Sequence, residues 1–196
     1  NGAVHQGIVL QIAASKTHNL KNLIDACKPF GDSSLLLALD GLTDPQNLGA
    51  IIRSAEALGA QGLILPQRRS AGLTGSVAKV AAGALEHLPV ARVVNLNRSL
   101  EKLKDKGYTV VGLAEEGPST LSEMKIAGPL VVVVGSEDKG ISLITRRLCD
   151  QLVRIPLKGL TTSLNASVAT SIFLYEVART RWMRSISGQD PSPRLL

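Results

Sequence analysis

Three polar segments of this 196-residue chain carry the residues whose types and spacing could do chemistry. The first runs from Asp40 to Ala55, DGLTDPQNLGAIIRSA. Asp44-Pro45 marks a turn there, and Asn47 is placed to cap the helix that follows. Leu48, Ile51, Ile52, Ala55 and Leu58 fall on one face of that helix, so Arg53 points away from its core stripe. On spacing alone, the ordinary reading of Arg53 is an exposed side chain paired with Glu56 one turn on. The second segment, Val131 to Ser142 (VVVVGSEDKGIS), takes a buried strand into a glycine-bounded loop and then a helix. Such a turn lets a nucleotide-like ligand approach backbone amides, although a plain strand-to-helix connection has the same appearance. A phosphate-binding Walker loop requires Lys after its second glycine, where Ile141 stands, and the glycines Gly135 and Gly140 do not make the dinucleotide fingerprint. The third segment, Ile155 to Thr170 (IPLKGLTTSLNASVAT), leaves a strand at a proline and enters a long helix through a hydroxyl cluster. N-capping by Thr162 or Ser163 accounts for one hydroxyl. It leaves unexplained why Asn165 and Ser167 crowd a first turn that helix propensity does not favour.

The elements that must position these segments follow from the apolar pattern. Leu35–Leu39, Gly62–Leu65, Val90–Val94, Tyr108–Leu113, Leu130–Val134 and Leu152–Ile155 are short, continuous and rich in Val, Ile and Leu, as strands buried on both faces are. Helical patterns lie between them, over Leu48–Leu58, Gly72–Leu85, Ser99–Lys106, Ser142–Cys149 and Leu164–Arg181. The alternation predicts an α/β fold, a mostly parallel sheet with helices on both faces. Ligands in such sheets sit beyond the carboxyl ends of the strands, which points to the loops after Leu39, Val134 and Ile155. Residues 1–33 hold one β-like run, Gly7–Ile12, then a short polar helix, and are expected to enter or cap the domain. Residues 34–183 are expected to form it, and the polar, proline-containing 184–196 to be disordered.

Composition bounds the partners. A net charge of +6 suits a polyanion such as nucleic acid. Aromatic residues make up 3%, so phosphate and ribose contacts are expected rather than stacking on rings. The dipeptides Arg68–Arg69 and Arg146–Arg147 are candidates for those phosphate contacts. No apolar stretch approaches membrane-spanning length, and no secretory signal is visible. Cys27 and Cys149 lack metal-ligand spacing and read as free thiols of a reducing compartment. His5, His18 and His87 form no ligand motif, so no metal is expected.

Taken together, D-P-x-N-x-G-A-x-x-R, V-x-G-S-E-x-x-G and I-P-(x)6-S-L-N-x-S-V-A, in this order from about Leu35 to Arg181, resemble the three motifs of the SpoU family of RNA ribose methyltransferases, within the SPOUT superfamily. The resemblance implies a deep C-terminal trefoil knot, S-adenosylmethionine as cofactor, a homodimer with sites near the subunit interface, and a cytoplasmic enzyme that methylates a ribose 2′-hydroxyl. Its nearest members act on a guanosine of large-subunit ribosomal RNA. The segment Gly2–Gly7 resembles the linker that follows their small N-terminal RNA-binding domain. By resemblance Arg53 is the catalytic residue, with Asn47, Glu137, Ser163 and Asn165 as the other polar site residues. Gly135, Ser136, Gly140, Ile155, Leu157, Ser163, Leu164 and Asn165 match the cofactor-binding positions. Asp138 departs from the family, which usually has a small residue there. The final helix is expected to carry the dimer contact, because Val168, Ile172, Phe173 and Tyr175 spread over more than one face. A nicotinamide-dependent oxidoreductase, a non-catalytic RNA-binding module and the same chemistry on transfer RNA are the competing readings.

Overall fold

The unbroken apolar run Leu130–Gly135 is buried along its whole length, as a strand covered on both faces by helices requires. It lies at the centre of a computed structural model that describes residues 17–185. In chain order the elements are β1 (Thr17–His18), α1 (Leu20–Cys27), β2 (Leu35–Asp40), α2 (Pro45–Ala57), β3 (Gly62–Pro66), α3 (Gly75–Ala81), β4 (Val90–Val93), α4 (Leu96–Lys104), β5 (Thr109–Leu113), β6 (Ser119–Thr120), β7 (Leu130–Gly135), α5 (Leu143–Leu148), β8 (Gln151–Arg154) and α6 (Ala166–Ser185). The strands form one sheet in the order β1-β4-β3-β2-β7-β5-β8-β6, parallel at every pairing. The run Gly7–Ile12, the linker-like Gly2–Gly7 and the tail after Ser185 lie outside the described residues.

Successive side chains of a strand face opposite sides, and the two layers of core follow that alternation. Leu35, Leu37 and Leu39 of β2 and Leu130, Val132 and Val134 of β7 pack with residues of α2, α3 and α6. Leu36 and Ala38 of β2 and Val131 and Val133 of β7 pack with residues of α1 and α4. β1 and α1 belong to this body: β1 extends the sheet edge beside β4, and Leu23 and Cys27 are buried.

Several boundaries differ from the sequence reading, each for a local reason. Asp44, not Asn47, caps α2, accepting hydrogen bonds from the backbone N–H of Gln46 and Asn47, both at 3.1 Å. Pro45 then takes the first helical position, where its missing N–H costs nothing. Asn47 is thereby carried into the first turn, and its side chain is released for other work. The pattern over Gly72–Leu85 is not one helix. α3 ends at Ala81, because Ala82 and Gly83 both adopt left-handed backbone, and one 3-10 turn follows. The last helix starts two residues later than its apolar pattern and continues to Ser185.

Cys27 is buried and Cys149 half-buried, and both are free thiols. Burial pushes both thiols up, and for Cys149, where Asp150 adds to the effect, to about 11. Both remain protonated at neutral pH, which makes them inert packing residues. No described helix is long and apolar enough to cross a membrane.

Candidate active site

The three motif segments all leave the sheet at the carboxyl ends of strands: β2, β7 and β8. Beyond β7, β5 and β8 lies an open cleft of about 650 Å³, within the usual range of small-molecule sites. Gly135, Ser136, Glu137, Gly140, Ile155, Leu157, Ser163 and Leu164 line it. These are site residues expected from the sequence, drawn together from two separate segments. Asn165, Asn47 and Arg53 do not line the cleft.

The floor of the cleft depends on glycine at position 135. The loop after β7 folds back so that Ser136 and Gly140 bridge, Ser136 N donating to Gly140 O at 3.2 Å and Gly140 N to Ser136 O at 2.9 Å. A Cβ on Gly135 would stand 1.9 Å from the Gly140 carbonyl carbon and 2.2 Å from Ile141 N. Gly140 closes the loop at φ +61°, in the left-handed region. From the far side, Asp40 at the end of β2 accepts a hydrogen bond from Ser142 N at 2.9 Å, which fixes the start of α5.

Asn47 joins the three motifs. The Asn165 side-chain oxygen accepts from Ser167 N at 2.9 Å and from Val168 N at 3.3 Å, so Asn165 caps α6. Thr162 and Ser163 do not cap this helix. Because the cap needs the amide oxygen, the Asn165 Nδ2 is turned outward and donates to Asn47 Oδ1 at 2.9 Å. That in turn fixes the second amide: Asn47 Nδ2 donates to Glu137 Oε1. One helix cap therefore sets the polarity of a relay that crosses all three segments and ends on a carboxylate lining the cleft. Asn47 is 8% exposed, so its amide groups have little competing water. The crowding of Asn165 and Ser167 at the start of α6 is explained by this geometry: Ser167 Oγ also donates to Asn165 Oδ1, at 2.6 Å.

The relay makes a prediction that separates stability from function. Asn165→Asp keeps the cap acceptor, and its charge suits a helix N-terminus, so the melting temperature should hold. It cannot donate to Asn47, so the amide polarity is lost and turnover should fall by at least about tenfold. Asn165→Ala removes the cap as well and should cost about 1 kcal/mol of stability. Thermal melts and turnover on the same preparations check both. Wild-type turnover in Asn165→Asp would remove the relay from the mechanism.

Arg53 lies on α2 one face away from the relay. α2 and α6 run side by side in the same direction, joined at their starts by Asn47 and Asn165 and further along by Ser171 Oγ donating to Ser54 Oγ at 2.8 Å. Ala55 and Thr170, one residue to the inner side of that contact, are buried; Arg53 and Ile172, one residue to the outer side, are exposed. Arg53 makes no ion pair with Glu56 and no side-chain hydrogen bond among the described residues. Arg53 is thus exposed, as its spacing predicts, but the pairing with Glu56 is not formed.

Sequence reasoning missed the loop after β5. Ala114, Glu115 and Glu116 form one wall of the cleft, and Lys139, Arg146 and Arg154 also reach it. Their signal was position, since Ala114–Glu116 follows a strand end on the ligand-binding edge of the sheet. The sequence offers Arg146 to phosphate, but the fold has already engaged it. Its Nε donates to Ile141 O at 2.9 Å, and it is paired with Glu116. Among the described residues no group of His, Cys, Asp and Glu is assembled to hold a metal ion.

A parallel α/β sheet with a glycine-floored cleft beyond its carboxyl edge defines a nucleotide-type binding domain without either common phosphate loop. Residues 34–175 match the SpoU rRNA Methylase family, and the chain belongs to that family. It is 52% identical, over 92% of its length, to an uncharacterized tRNA/rRNA methyltransferase of Synechocystis, of which it spans 47%. It is 46% identical, again over 92%, to the 23S rRNA (guanosine-2′-O-)-methyltransferase RlmB of Photobacterium profundum, of which it spans 73%. The chain thus spans about half the length of the first of these relatives. In structure it is similar to the SpoU methyltransferase AviRb of Streptomyces viridochromogenes in complex with AdoMet, with a TM-score of 0.73 and 34% identity over 81% of this chain and 62% of that one. An AdoMet-bound rRNA methyltransferase of Sinorhizobium meliloti aligns with a TM-score of 0.76 and 29% identity, over 84% of this chain and 61% of that one. The family's fold carries a C-terminal trefoil knot. In this chain residues 155–157 and 162–164 line the cleft between β8 and α6, and α6 lies beside α2.

Proposed function

We propose that this chain transfers a methyl group from S-adenosylmethionine to the ribose 2′-hydroxyl of a nucleotide, a guanosine, in large-subunit ribosomal RNA. The observation that carries the reading is the Asn165–Asn47–Glu137 relay, which joins the three motif segments at a cleft of the right size. The residues present suit that cofactor. Val134, Ile155, Leu157 and Leu164 offer apolar wall to an adenosine, the Gly135–Gly140 loop offers backbone, and Glu115, Glu137 and Asp138 offer negative charge to a sulfonium. When bound, the cofactor supplies an electrophilic methyl group on a cationic sulfur that leaves as a neutral thioether. The absence of the dinucleotide glycine fingerprint stands against the oxidoreductase reading.

The protein has then to hold the ribose oxygen in line with the methyl carbon, and positioning supplies much of the rate. The hydroxyl must also lose its proton to a group within hydrogen-bond reach. Arg53 either accepts that proton with help from a neighbouring RNA phosphate, or holds the phosphate and polarises the hydroxyl while another group accepts it. Asn47 and Asn165 position Glu137, and Ser163 lies at the cleft for the ribose or the cofactor. Ribosomal RNA is the target favoured by the name of the Photobacterium relative; transfer RNA is the second reading, because the Synechocystis relative's name covers both. The reading implies a cytoplasmic enzyme. Its test is transfer of labelled methyl from S-adenosylmethionine to an unmodified large-subunit ribosomal RNA transcript by this chain, and no transfer to that RNA or to transfer RNA overturns it.

The same proposal includes a homodimer through the outer face of α2 and α6. Val168, Ile172 and Tyr175 recur at helical spacing on α6 and are exposed, and Arg53 shares their side of the helix pair. Phe173 does not belong to that face. It is fully buried between the helices and the sheet, so Phe173→Glu would unfold the chain rather than report on assembly. Ile172→Glu places a charge on the outer face only and is expected to shift sedimentation from dimer to monomer with the melt retained. An unchanged dimer would move the interface elsewhere.

A further inference from the structure

The carboxyl edge of the sheet has a second polar surface, on the side of β2 away from the cleft. The loop after β3, residues 67–71, is pinned at every turn. Gln67 N donates to Val93 O at 2.8 Å, Ser70 Oγ to Pro66 O at 2.6 Å, and Ala71 N to Leu42 O at 2.8 Å in the first-motif loop. The Arg92 guanidinium bridges the loop from below, donating to Ala71 O at 3.2 Å and Gln67 O at 3.0 Å. Held this way, the loop presents Arg68 and Arg69 to solvent, and Arg69 sits in left-handed backbone (φ +57°), which a long side chain rarely adopts. Neither side chain has a hydrogen-bond or ion-pair partner among the described residues. A groove of about 510 Å³ continues past the end of β4, lined by Val94, Asn95, Arg98 and Lys102 among others. The Arg98 and Lys102 side chains, one turn apart on α4, are also exposed and unpaired among the described residues. Pro66 and Val93 are register partners, so loop and groove begin at neighbouring strand ends.

We infer that Arg68, Arg69, Arg98 and Lys102 form a backbone-docking track for the substrate RNA, leading from the first-motif loop outward along β3 and β4. This rests on the RNA-methyltransferase reading and goes beyond it by assigning the surface. The charge distribution separates the two ligands. The cleft side of the edge mixes Glu115, Glu116, Glu137 and Asp138 with Lys139, Arg146 and Arg154, and two of those cations are already engaged, Arg146 by Glu116 and Arg154 by the Gly117 and Pro118 carbonyls. On the β3–β4 side Arg68, Arg69, Arg98 and Lys102 have no carboxylate paired to them among the described residues. A polyanion entering the site is therefore drawn along the second side. The pinned loop fixes the backbone that carries Arg68 and Arg69, so at that point only the side chains need ordering when phosphate binds.

The test uses the 196-residue chain with Arg68→Ala/Arg69→Ala and, separately, Arg98→Ala/Lys102→Ala. The RNA is an unmodified large-subunit ribosomal transcript, assayed at several salt concentrations. Each RNA phosphate that a variant no longer neutralises should remove roughly 0.7–0.9 from the salt slope of binding. The KM for RNA should rise about tenfold or more per double variant at physiological salt, with kcat within twofold and S-adenosylmethionine affinity unchanged by calorimetry. An unchanged KM and salt slope in both variants, with the wild-type chain active, overturns the track and assigns the patch to some other partner. Equal loss of kcat and cofactor affinity overturns it as well, by showing damage to the cleft. An inactive wild-type chain would instead count against the methyltransferase reading, and direct RNA binding by the variants would still decide the track.

Discussion

Replacing Arg53 with alanine is expected to reduce methyl transfer by about 10²-fold or more, in the range one positioned acid–base or charge-bearing group supplies. S-adenosylmethionine affinity should stay within a few-fold. The two halves of that expectation have separate structural grounds. Arg53 lies outside the cleft that would hold the cofactor and has no side-chain hydrogen bond or ion pair among the described residues. Losing it leaves no buried group unsatisfied, and alanine is at least as good a helix former. The stability change should fall within about 0.5 kcal/mol, so lost turnover could not be put down to unfolding. Arg53→Lys should recover little, because an ammonium cannot present a planar fork to a phosphate and a hydroxyl together. Turnover and calorimetry on the same sample check the split, and wild-type turnover in Arg53→Ala removes the residue from the chemistry.

Gly135→Ala has the opposite signature: cofactor binding is lost first. The added Cβ meets the Gly140 carbonyl carbon at 1.9 Å, and backbone cannot step aside as the end of a flexible side chain can. The loop must open, and opening it breaks the Ser136–Gly140 bridge that forms the cleft floor. Overpacking of this kind costs about 1–3 kcal/mol, which the buried strand β7 beneath it should survive. The expected result is a chain with native circular dichroism, a lowered melting temperature and S-adenosylmethionine affinity reduced by about 10²-fold, a loss of the order that about 2.7 kcal/mol produces. Native cofactor affinity in this variant would show that the loop is not the cofactor floor.

The fold was legible because its strands are apolar on both faces. Runs such as Leu130–Val134 have no alternation to misread, and their order with intervening helices implies a parallel sheet. Boundaries were less legible where two capping signals compete. Asp44 and Asn47 are both good N-caps, and Pro45 decided between them. Thr162, Ser163 and Asn165 compete in the same way, and Asn165 took the cap because its amide also reaches Asn47. That partnership spans 118 positions of chain and leaves no mark in local spacing. The motif resemblance names Asn47, Glu137 and Asn165 as site residues; the direction of the hydrogen bonds between them is set only in the fold, by the cap that Asn165 makes on α6. Phe173 and Ile172 show a different limit. Adjacent apolar residues on a long helix look alike in sequence, and only packing reveals that one is core and the other surface.

One substrate separates a ribose hydroxyl from a base atom as the methyl acceptor. A large-subunit ribosomal RNA segment is first methylated with labelled S-adenosylmethionine and the modified nucleotide located. The same segment is then made with 2′-deoxy at that nucleotide alone and assayed beside the all-ribose RNA. The 2′-hydroxyl is the only group removed, and it is the feature by which a protein distinguishes RNA from DNA at a single position. A ribose acceptor gives full labelling of the all-ribose RNA and none of the deoxy form, with both binding equally. Label in the deoxy RNA would place the methyl group on the base and contradict it.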